Sequence, residues 1–158
     1  MPLVLCRVDD RLIHGQVVIG WGRPLGARRI LLVDDDVAGN AWEQDLYRMA
    51  VPDGVELVFS DVAGAAAHLA AWQAEPVRSI LLTGSVAAAA QLFEADHSAM
   101  HRINLGGVHH RPGRTERLPY LYLTDDEYRT LVTLESEGAD VTAQDVPSAT
   151  PISLRGLA

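Results

Sequence analysis

The sequence predicts a three-layer α/β fold, in which helices cover both faces of a mostly parallel, twisted sheet of about six to seven strands with an antiparallel edge. The apolar runs LVLC, ILLV and ILL have no polar interruptions, as expected of strands covered on both faces. Such runs alternate with longer amphipathic stretches, which is typical of a parallel sheet wrapped by helices. The predicted strands span residues 3–8, 29–33, 55–59, 79–82, 102–105, 120–123 and 140–143.

Helical periodicity fills the intervals between these strands. Residues that favour helix N-caps stand before four of the helical stretches, and Glu127 lies in the capping-box position of the last one. Gly138 follows the final turn, where a glycine commonly ends a helix. The break at residues 107–119 contains two prolines and is expected to be a loop or hairpin. The predicted helices span residues 14–23, 40–49, 61–72, 85–94 and 125–137, with N-caps at Asn40, Asp61, Ser85 and Thr124.

Length and composition indicate one globular domain over residues 1–158. The net charge of -8 disfavours a non-specific nucleic-acid binder, which presents positive charge to phosphates. The single cysteine, Cys6, lies in an apolar run and is expected to be a core thiol. We see neither a secretory signal pattern nor the roughly 18 apolar residues that a membrane span needs, so we expect a cytoplasmic protein.

Ligands of open α/β sheets bind beyond the carboxyl ends of the strands. Five short segments are expected at that edge, and the first of them, at residues 7–15, is the most polar. The other four, at residues 34–36, 60–61, 83–85 and 106–107, are candidates for the rim of a site. The rim residues that we single out are Asp35, Ser60, Thr83, Ser85, Gly106 and Gly107.

The stretch RVDDRLIHGQ, residues 7–16, combines a strand end with the start of a predicted helix. His14 is therefore expected at a helix N-terminus, where the helix dipole disfavours an imidazolium and favours a neutral, nucleophilic ring. If the ring carried a phosphoryl group, the backbone amides of Gly15 and Gln16 would be partners for its oxygens. Glycine at position 15 lets the backbone approach closely.

Arg7 and Arg11 provide guanidinium groups, whose planar forks match the equatorial oxygens of a phosphoryl group in transfer. Asp9 and Asp10 are expected to orient these arginines or to fix the tautomer of His14, and the spacing does not decide which aspartate does which. Two other interpretations remain open from the residues alone. The stretch is also compatible with a solvated turn, and two aspartates with a histidine can bind a metal, although two arginines disfavour a cation.

The longer stretch RVDDRLIHGQVVIGW closely resembles the signature of the IIB component of the bacterial phosphoenolpyruvate-dependent sugar phosphotransferase system (PTS), mannose/fructose/sorbose family. The resemblance covers nearly the whole chain. Its further segments are ILLVDDDVAGN, INLGGVHHRPGR and LTDDEYRTLVTLESEGADVTAQDVPS. One departure is the pair His109 and His110, which stands where the family often has uncharged residues. We interpret this pair as solvated loop residues, with an influence on phosphate binding as the alternative.

This resemblance implies a mostly parallel sheet with helices on both sides and a phosphocarrier function. It implies that His14 accepts a phosphoryl group from a phosphohistidine on a IIA protein. The group then passes to a sugar held by the membrane IIC and IID components, at which the chain would be peripherally associated. Arg7 and Arg11 match the arginines that neutralise the group, and Asp10 lies in the same loop. The resemblance implies no cofactor, neither a nucleotide nor a metal.

A solitary phosphohistidine regulator without a transport role is the alternative to a transporter component. A receiver domain is disfavoured because the chain contains no lysine to hold an aspartyl phosphate, and a nucleotide-binding enzyme because no glycine-rich loop with lysine is present. The tryptophans Trp21, Trp42 and Trp72 fall in helical patterns and are expected to pack against the sheet, with Trp21 also a candidate to face a partner protein.

Overall fold

The computed structural model describes residues 2–158 and contains a seven-stranded sheet in the order β3-β2-β4-β1-β5-β8-β9. All neighbouring strands in this sheet are parallel except β8 and β9, which form an antiparallel edge. The strands are β1 Leu3–Val8, β2 Arg29–Val33, β3 Glu56–Ser60, β4 Ser79–Thr83, β5 Arg102–Leu105, β6 Thr115–Leu118, β7 Leu121–Leu123, β8 Asp140–Ala143 and β9 Ile152–Ser153.

Helices cover both faces of the sheet, which confirms the predicted three-layer α/β fold. A π-helix, Gln16–Trp21, leads directly into α1, and a 3-10 turn, Leu154–Leu157, follows β9. The α-helices are α1 Gly22–Leu25, α2 Asp35–Ala38, α3 Ala41–Ala50, α4 Val62–Ala74, α5 Val86–Ala95 and α6 Asp125–Ser136. No helix in the described range combines the length and the apolar character that a bilayer crossing requires.

The structure corrects the sequence prediction at several elements. The predicted strand at residues 120–123 does not join the main sheet, because β7 pairs with β6 in a separate antiparallel hairpin. The seventh strand is instead β9, which is only two residues long and leaves no periodic signal in the sequence. The one-turn helix α2 was also not predicted, and the first helix begins with π rather than α geometry.

Local signals placed the helix starts correctly. Each predicted N-cap side chain accepts a hydrogen bond from the backbone N–H three residues later, and Thr124 with Glu127 forms the complete capping box. Gly138 has φ +107°, a backbone conformation that residues with a side chain rarely adopt. The predicted N-caps are Asn40, Asp61, Ser85 and Thr124.

Two apolar cores lie on opposite faces of the sheet, because successive residues of β2 and β4 point to opposite sides. Leu31 and Leu81 pack in the core beneath α4, α5 and α6, whereas Ile30 and Ile80 pack in the core beneath the π-helix and α3. The buried thiol of Cys6 also lies in the first core, and burial raises its pKa to about 12. A thiol with this pKa is inert at neutral pH, as predicted.

The tryptophans divide between buried and exposed positions. Trp21 and Trp72 are buried in the two cores, as expected from their helical patterns. The expectation was wrong for Trp42, whose exposure is 72%, because α3 turns this residue away from the sheet.

Candidate functional site

The loop after β1 forms the centre of the carboxyl edge and is held by both neighbouring strands. The N–H of Asp9 donates to the carbonyl of Thr83 at 2.9 Å, and the N–H of Asp10 donates to the carbonyl of Gly107 at 2.8 Å. Leu12 is buried and adopts φ +59°, a left-handed conformation that costs about 1–2 kcal/mol for a residue with a side chain. Such strain persists only where the surroundings impose it, which is common in functional loops.

Asp9 is the buried hub of this loop. Its Oδ1 accepts hydrogen bonds from the Arg11 N–H at 3.2 Å and from Arg11 Nε at 2.9 Å. Its Oδ2 accepts from Arg11 Nη2 at 2.8 Å, from Arg7 Nη2 at 3.3 Å and from His14 Nε2 at 3.3 Å. Burial by itself raises the pKa of the Asp9 carboxyl, but the hydrogen bonds from His14 and Arg11 and the two guanidinium charges outweigh it and hold the pKa well below its usual range.

The contact with Asp9 determines which ring nitrogen of His14 carries the hydrogen. An ionised carboxylate only accepts hydrogen bonds, so Nε2 carries the hydrogen of this contact and the neutral ring has its lone pair on Nδ1. Within residues 2–158, Nδ1 makes no hydrogen bond, and the side chain is 20% exposed. The geometry therefore orients the ring and leaves Nδ1 as the nitrogen without a hydrogen-bond partner in the described part of the chain.

The helix start expected at His14 is present. The His14 carbonyl accepts the N–H groups of Val17 at 3.1 Å and Val18 at 3.0 Å, which are i+3 and i+4 bonds at the start of the helix. The N–H groups of Gly15 and Gln16 have no acceptor in the described part of the chain, so they are available to an anion beside the ring. A Cβ on Gly15 would meet no atom within 4 Å.

Arg11 lies at the surface beside the ring. Two of its nitrogens form a bidentate pair with Asp9, and its side chain is 32% exposed. The hydrogen bond with Asp9 is the main cause that raises the pKa of Arg11. Its Nη1 makes no hydrogen bond within residues 2–158 and is free to contact an anion; Asp145 Oδ1 lies 4.0 Å from Nη2.

Arg7 lies beneath the loop and not at the surface, where a direct contact with a phosphoryl group was expected. Its side chain is 0% exposed, and Nη1 donates to Asn104 Oδ1 and, at 2.8 Å, to the Gln144 carbonyl. Nη2 donates to Asp9 and to the Asp145 carbonyl at 3.1 Å. Burial lowers the pKa of Arg7, and the carboxylate of Asp9 opposes that shift. The expectation that Arg7 contacts a phosphoryl group directly does not fit this burial, because both Nη groups already have protein acceptors.

Trp21 completes the support beneath Arg7. The Arg7 guanidinium carbon lies 5.0 Å from the centre of the Trp21 ring, in the range of a cation–π contact. The indole N–H donates to the Asp145 carbonyl at 3.2 Å. Trp21 is therefore a packing residue of the site and does not face outward to a partner.

The glycine pair at the end of β5 makes room for the two arginines. A Cβ on Gly106 would overlap the Arg7 guanidinium, and a Cβ on Gly107 would lie 2.9 Å from Arg11 Nε. Real Cβ atoms do not come this close to other atoms, so a side chain at either position would displace an arginine. Gly106 and Gly107 thus contribute to the site because the absence of a side chain at each position leaves room for an arginine.

Asp10 points away from the ring and connects two loops. It accepts the His109 N–H at 2.8 Å and contacts His109 Nδ1 at 2.6 Å, so the loop after β5 is fastened to the loop after β1. The His109 side chain is 68% exposed, as expected of a solvated loop residue, and it also joins the two loops. His110 packs edge-on against the Tyr122 ring, 5.7 Å between centroids.

The remaining rim residues have structural contacts. Asp35 Oδ1 accepts the Val62 N–H at 2.8 Å, Ser85 caps α5, and the Ser60 hydroxyl donates to the carbonyl of the next residue. Asp35, Thr83 and Ser85 line a cleft of about 310 Å³ beside the loop after β1, whereas Ser60 does not. The described part of the chain does not bring the two loop aspartates and His14 together as metal ligands, because Asp9 faces two arginines and Asp10 faces His109.

The sequence alone did not single out Asp9 among the two aspartates, and it missed the acceptors of Arg7 on Asn104, Gln144 and Asp145. A signal for Asp9 was present in the alternation of Arg7, Asp9 and the next arginine along an extended chain, since residues two apart share one side of a strand. No local signal points to the other three acceptors, because Asn104 lies in β5 and Gln144 and Asp145 follow β8, both far along the chain.

Fold and site together define an α/β protein in which a histidine and two arginines surround a buried aspartate at the carboxyl edge of the sheet. Residues 3–157 match the family described as PTS system sorbose subfamily IIB component. The chain belongs to this family of phosphotransferase-system components.

Individual relatives agree with this assignment. The sorbose-specific EIIB component of Klebsiella pneumoniae is 30% identical over 156 residues, which cover 98% of this chain and 93% of the relative. The mannose-specific EIIAB component of Escherichia coli (strain K12) is 26% identical over 99% of this chain and 48% of the relative. The crystal structure of the IIBSor domain of the Klebsiella pneumoniae sorbose permease superposes with a TM-score of 0.90 at 25% identity, covering 99% of this chain and 96% of that one.

Proposed function

We propose that this chain is a phosphocarrier, and that His14 accepts a phosphoryl group from a phosphohistidine on a IIA protein and passes it to a sugar during uptake. The observation that supports this proposal most directly is the contact between His14 Nε2 and the buried Asp9, which leaves Nδ1 as the free nitrogen. The protein is then a phosphohistidine–sugar phosphotransferase that acts on the cytoplasmic side of a IIC and IID permease.

In the first transfer, the Nδ1 lone pair of His14 attacks the phosphorus atom of the donor. A new N–P bond forms, and the donor N–P bond breaks with its electron pair returning to the donor imidazole. His14 then carries the phosphoryl group on Nδ1 and a hydrogen on Nε2, so the ring is positively charged. The Asp9 carboxylate at 3.3 Å stabilises this charge.

The charge on the phosphoryl oxygens requires donors at the surface. Arg11 supplies Nη1, and the N–H groups of Gly15 and Gln16 lie at the positive end of the helix that begins there. These groups match a loose transition state, whose charge is spread over three equatorial oxygens. Arg7 acts from below as a positioning residue, because it holds Asp9 and has no exposed nitrogen.

In the second transfer, a sugar hydroxyl oxygen attacks the phosphorus atom. The N–P bond of phospho-His14 breaks, its electron pair returns to Nδ1, and the hydroxyl proton leaves to solvent or to a base on the permease. The proposed partners draw support from the relatives: one is a sorbose-specific EIIB component, and another joins A and B components in one chain. We therefore propose a sugar of the mannose, fructose and sorbose class as the substrate.

Phosphorylation in a reconstituted system tests this proposal. We expect the chain to gain an acid-labile phosphate when it is incubated with phosphoenolpyruvate, the general phosphotransferase proteins and the cognate IIA protein, and mass spectrometry to locate it on His14. His14→Ala should gain none, whereas the matched control His101→Ala, at an exposed ring far along the chain, should label like the wild type. Equal labelling of His14→Ala and wild type would falsify the carrier role.

A further inference from the structure

The described part of the chain leaves one row of large apolar side chains uncovered. Five such residues are exposed within residues 2–158, and three of them lie on α3, namely Trp42, Leu46 and Met49. Their exposures are 72%, 46% and 82%, and α3 has no buried residue. The spacing i, i+4, i+7 places all three on one side of the helix. We call this row the α3 stripe.

The α3 stripe faces away from the contacts that hold the helix on the protein. Gln44 donates to the carbonyl groups of Val37 and Ala38, and the Arg48 guanidinium lies 5.0 Å from the Phe59 ring. The helix is thus anchored on its inner side by these groups and by Tyr47, which packs against the core on that face of the sheet. Single exposed apolar residues are common, but a contiguous row that includes a tryptophan is typical of a binding surface.

The charge around the stripe restricts its partner. Residues 34–56, which include α3 and the segments on either side of it, contain seven acidic residues and one arginine, a net charge of -6, and the Arg28 guanidinium lies beside Gly54 near the end of this segment. An acidic surface with an apolar centre is complementary to a surface that presents apolar groups among lysines and arginines. It is repelled by anionic lipid headgroups, which attract basic segments instead.

The position of the stripe relates it to His14. Helix α3 follows β2 at the carboxyl edge of the sheet, and β2 is separated from β1 by a single strand, β4. Neighbouring strands lie about 4.8 Å apart, so the ends of β2 and β1, which lead to α3 and to the His14 loop, lie roughly 10 Å apart on one edge of the sheet. A partner that covers the start of α3 therefore also reaches the phosphoryl-bearing loop.

We propose that the α3 stripe docks on a basic cytoplasmic surface of the membrane permease, an inference that rests on the proposed phosphocarrier function. Cytoplasmic loops of membrane proteins are enriched in lysine and arginine, which is the chemistry that the acidic surroundings of the stripe select. Trp42 is the anchor of this contact, because tryptophans dominate the binding energy of many interfaces.

Binding to inverted membrane vesicles that carry the IIC and IID proteins of the same system tests this inference. The double variant Trp42→Ala/Met49→Ala should bind these vesicles about 10-fold more weakly than the wild type. The matched control Val132→Ala removes the exposed apolar residue of α6 and should bind like the wild type. Binding is measured with the unphosphorylated protein, so the result does not depend on whether His14 carries phosphate.

Two further measurements distinguish the permease from other binding partners of the α3 stripe. The double variant should accept phosphate from phospho-IIA at the wild-type rate but need about 10-fold more protein for half-maximal sugar phosphorylation. Asp45→Asn/Asp53→Asn should weaken vesicle binding and reduce its dependence on salt. The inference is overturned if the double variant binds the vesicles like the wild type, or if it loses as much activity in the phospho-IIA step as in sugar phosphorylation. It is also overturned if the wild type binds phosphatidylglycerol vesicles that contain no protein, or if it forms a dimer that the double substitution dissociates.

Discussion

Asp9 Oδ2 lies 3.3 Å from His14 Nε2, and this contact selects which nitrogen of the ring faces outward. The same carboxylate oxygen accepts hydrogen bonds from Arg7 and Arg11, so one buried group orients the nucleophile and both guanidinium groups. The arrangement couples folding to function because the residue that orients the ring is also the counter-ion of a buried arginine.

Substitution of this carboxylate should damage both activity and stability. Asp9→Asn leaves two guanidinium groups without their buried counter-ion, and we expect a loss of about 3–5 kcal/mol in the free energy of unfolding. We also expect phosphorylation of His14 to slow by about 100-fold, because the charged ring loses its stabilising partner. Urea unfolding and single-turnover labelling measure the two effects. Asp10→Asn is the control, since Asp10 binds His109 and not His14; an equal rate loss in that variant would contradict the assignment.

Arg11 is expected to act mainly on the transferred group. Its side chain is partly exposed, and Nη1 is free within residues 2–158. Arg11→Ala should therefore slow phosphoryl transfer by about 100-fold or more. It should cost less unfolding free energy than Asp9→Asn, because the Asp9 carboxylate keeps Arg7 and His14 as partners. Arg23→Ala, which removes an exposed arginine on α1, serves as the charge-matched control. A wild-type transfer rate for Arg11→Ala would show that this guanidinium does not contact the phosphoryl group.

Two glycine substitutions are expected to differ in their effect on stability, because only one of the two glycines lies against Arg7. Gly106→Ala places a methyl group on the Arg7 guanidinium and should lower the free energy of unfolding by about 1–3 kcal/mol. Gly15→Ala meets no atom within 4 Å and should leave the stability close to that of the wild type. Thermal and urea unfolding of both variants give the comparison. Similar stabilities for the two would mean that Arg7 can move aside without cost.

Acid should destabilise the protein partly through Asp9. The folded-state pKa of this carboxyl is depressed, so its contribution to stability is complete above its unfolded pKa of about 3.9 and is lost as the pH falls through the lower folded value. We expect the wild type to lose stability from about pH 4 downward and Asp9→Asn to lose less over the same interval. Urea unfolding at pH 7, 5 and 3 measures the difference. Parallel losses in the two proteins would remove Asp9 as a source of the acid sensitivity.

The thiol of Cys6 should be unreactive in the folded protein. Burial raises its pKa to about 12, so almost no thiolate exists at pH 8. We expect a disulfide-exchange reagent to label the native protein slowly and the urea-unfolded protein at once. Rapid labelling without urea would indicate that the core around Cys6 opens readily.

The sequence by itself determined the elements of this protein. Apolar runs placed the core strands, and four capping residues placed helix starts, because both signals act over a few neighbouring residues. The same short-range signals predicted that His14 starts a helix and that the glycine pair lies at the carboxyl edge of the sheet. It also allowed a hairpin after β5, but it missed β9 and placed residues 120–123 in the main sheet, because short segments take their partners from the surrounding fold.

Only the tertiary structure decided how the site is assembled. Arg7 reaches Asn104 and the carbonyls of Gln144 and Asp145, at separations of 97, 137 and 138 residues along the chain. These contacts bury Arg7 and hold the Asp9 carboxylate beneath the ring, so Arg11 is the surface arginine of the pair. Periodicity and capping carry no information about such pairings, because they arise when distant strands are brought side by side in one sheet.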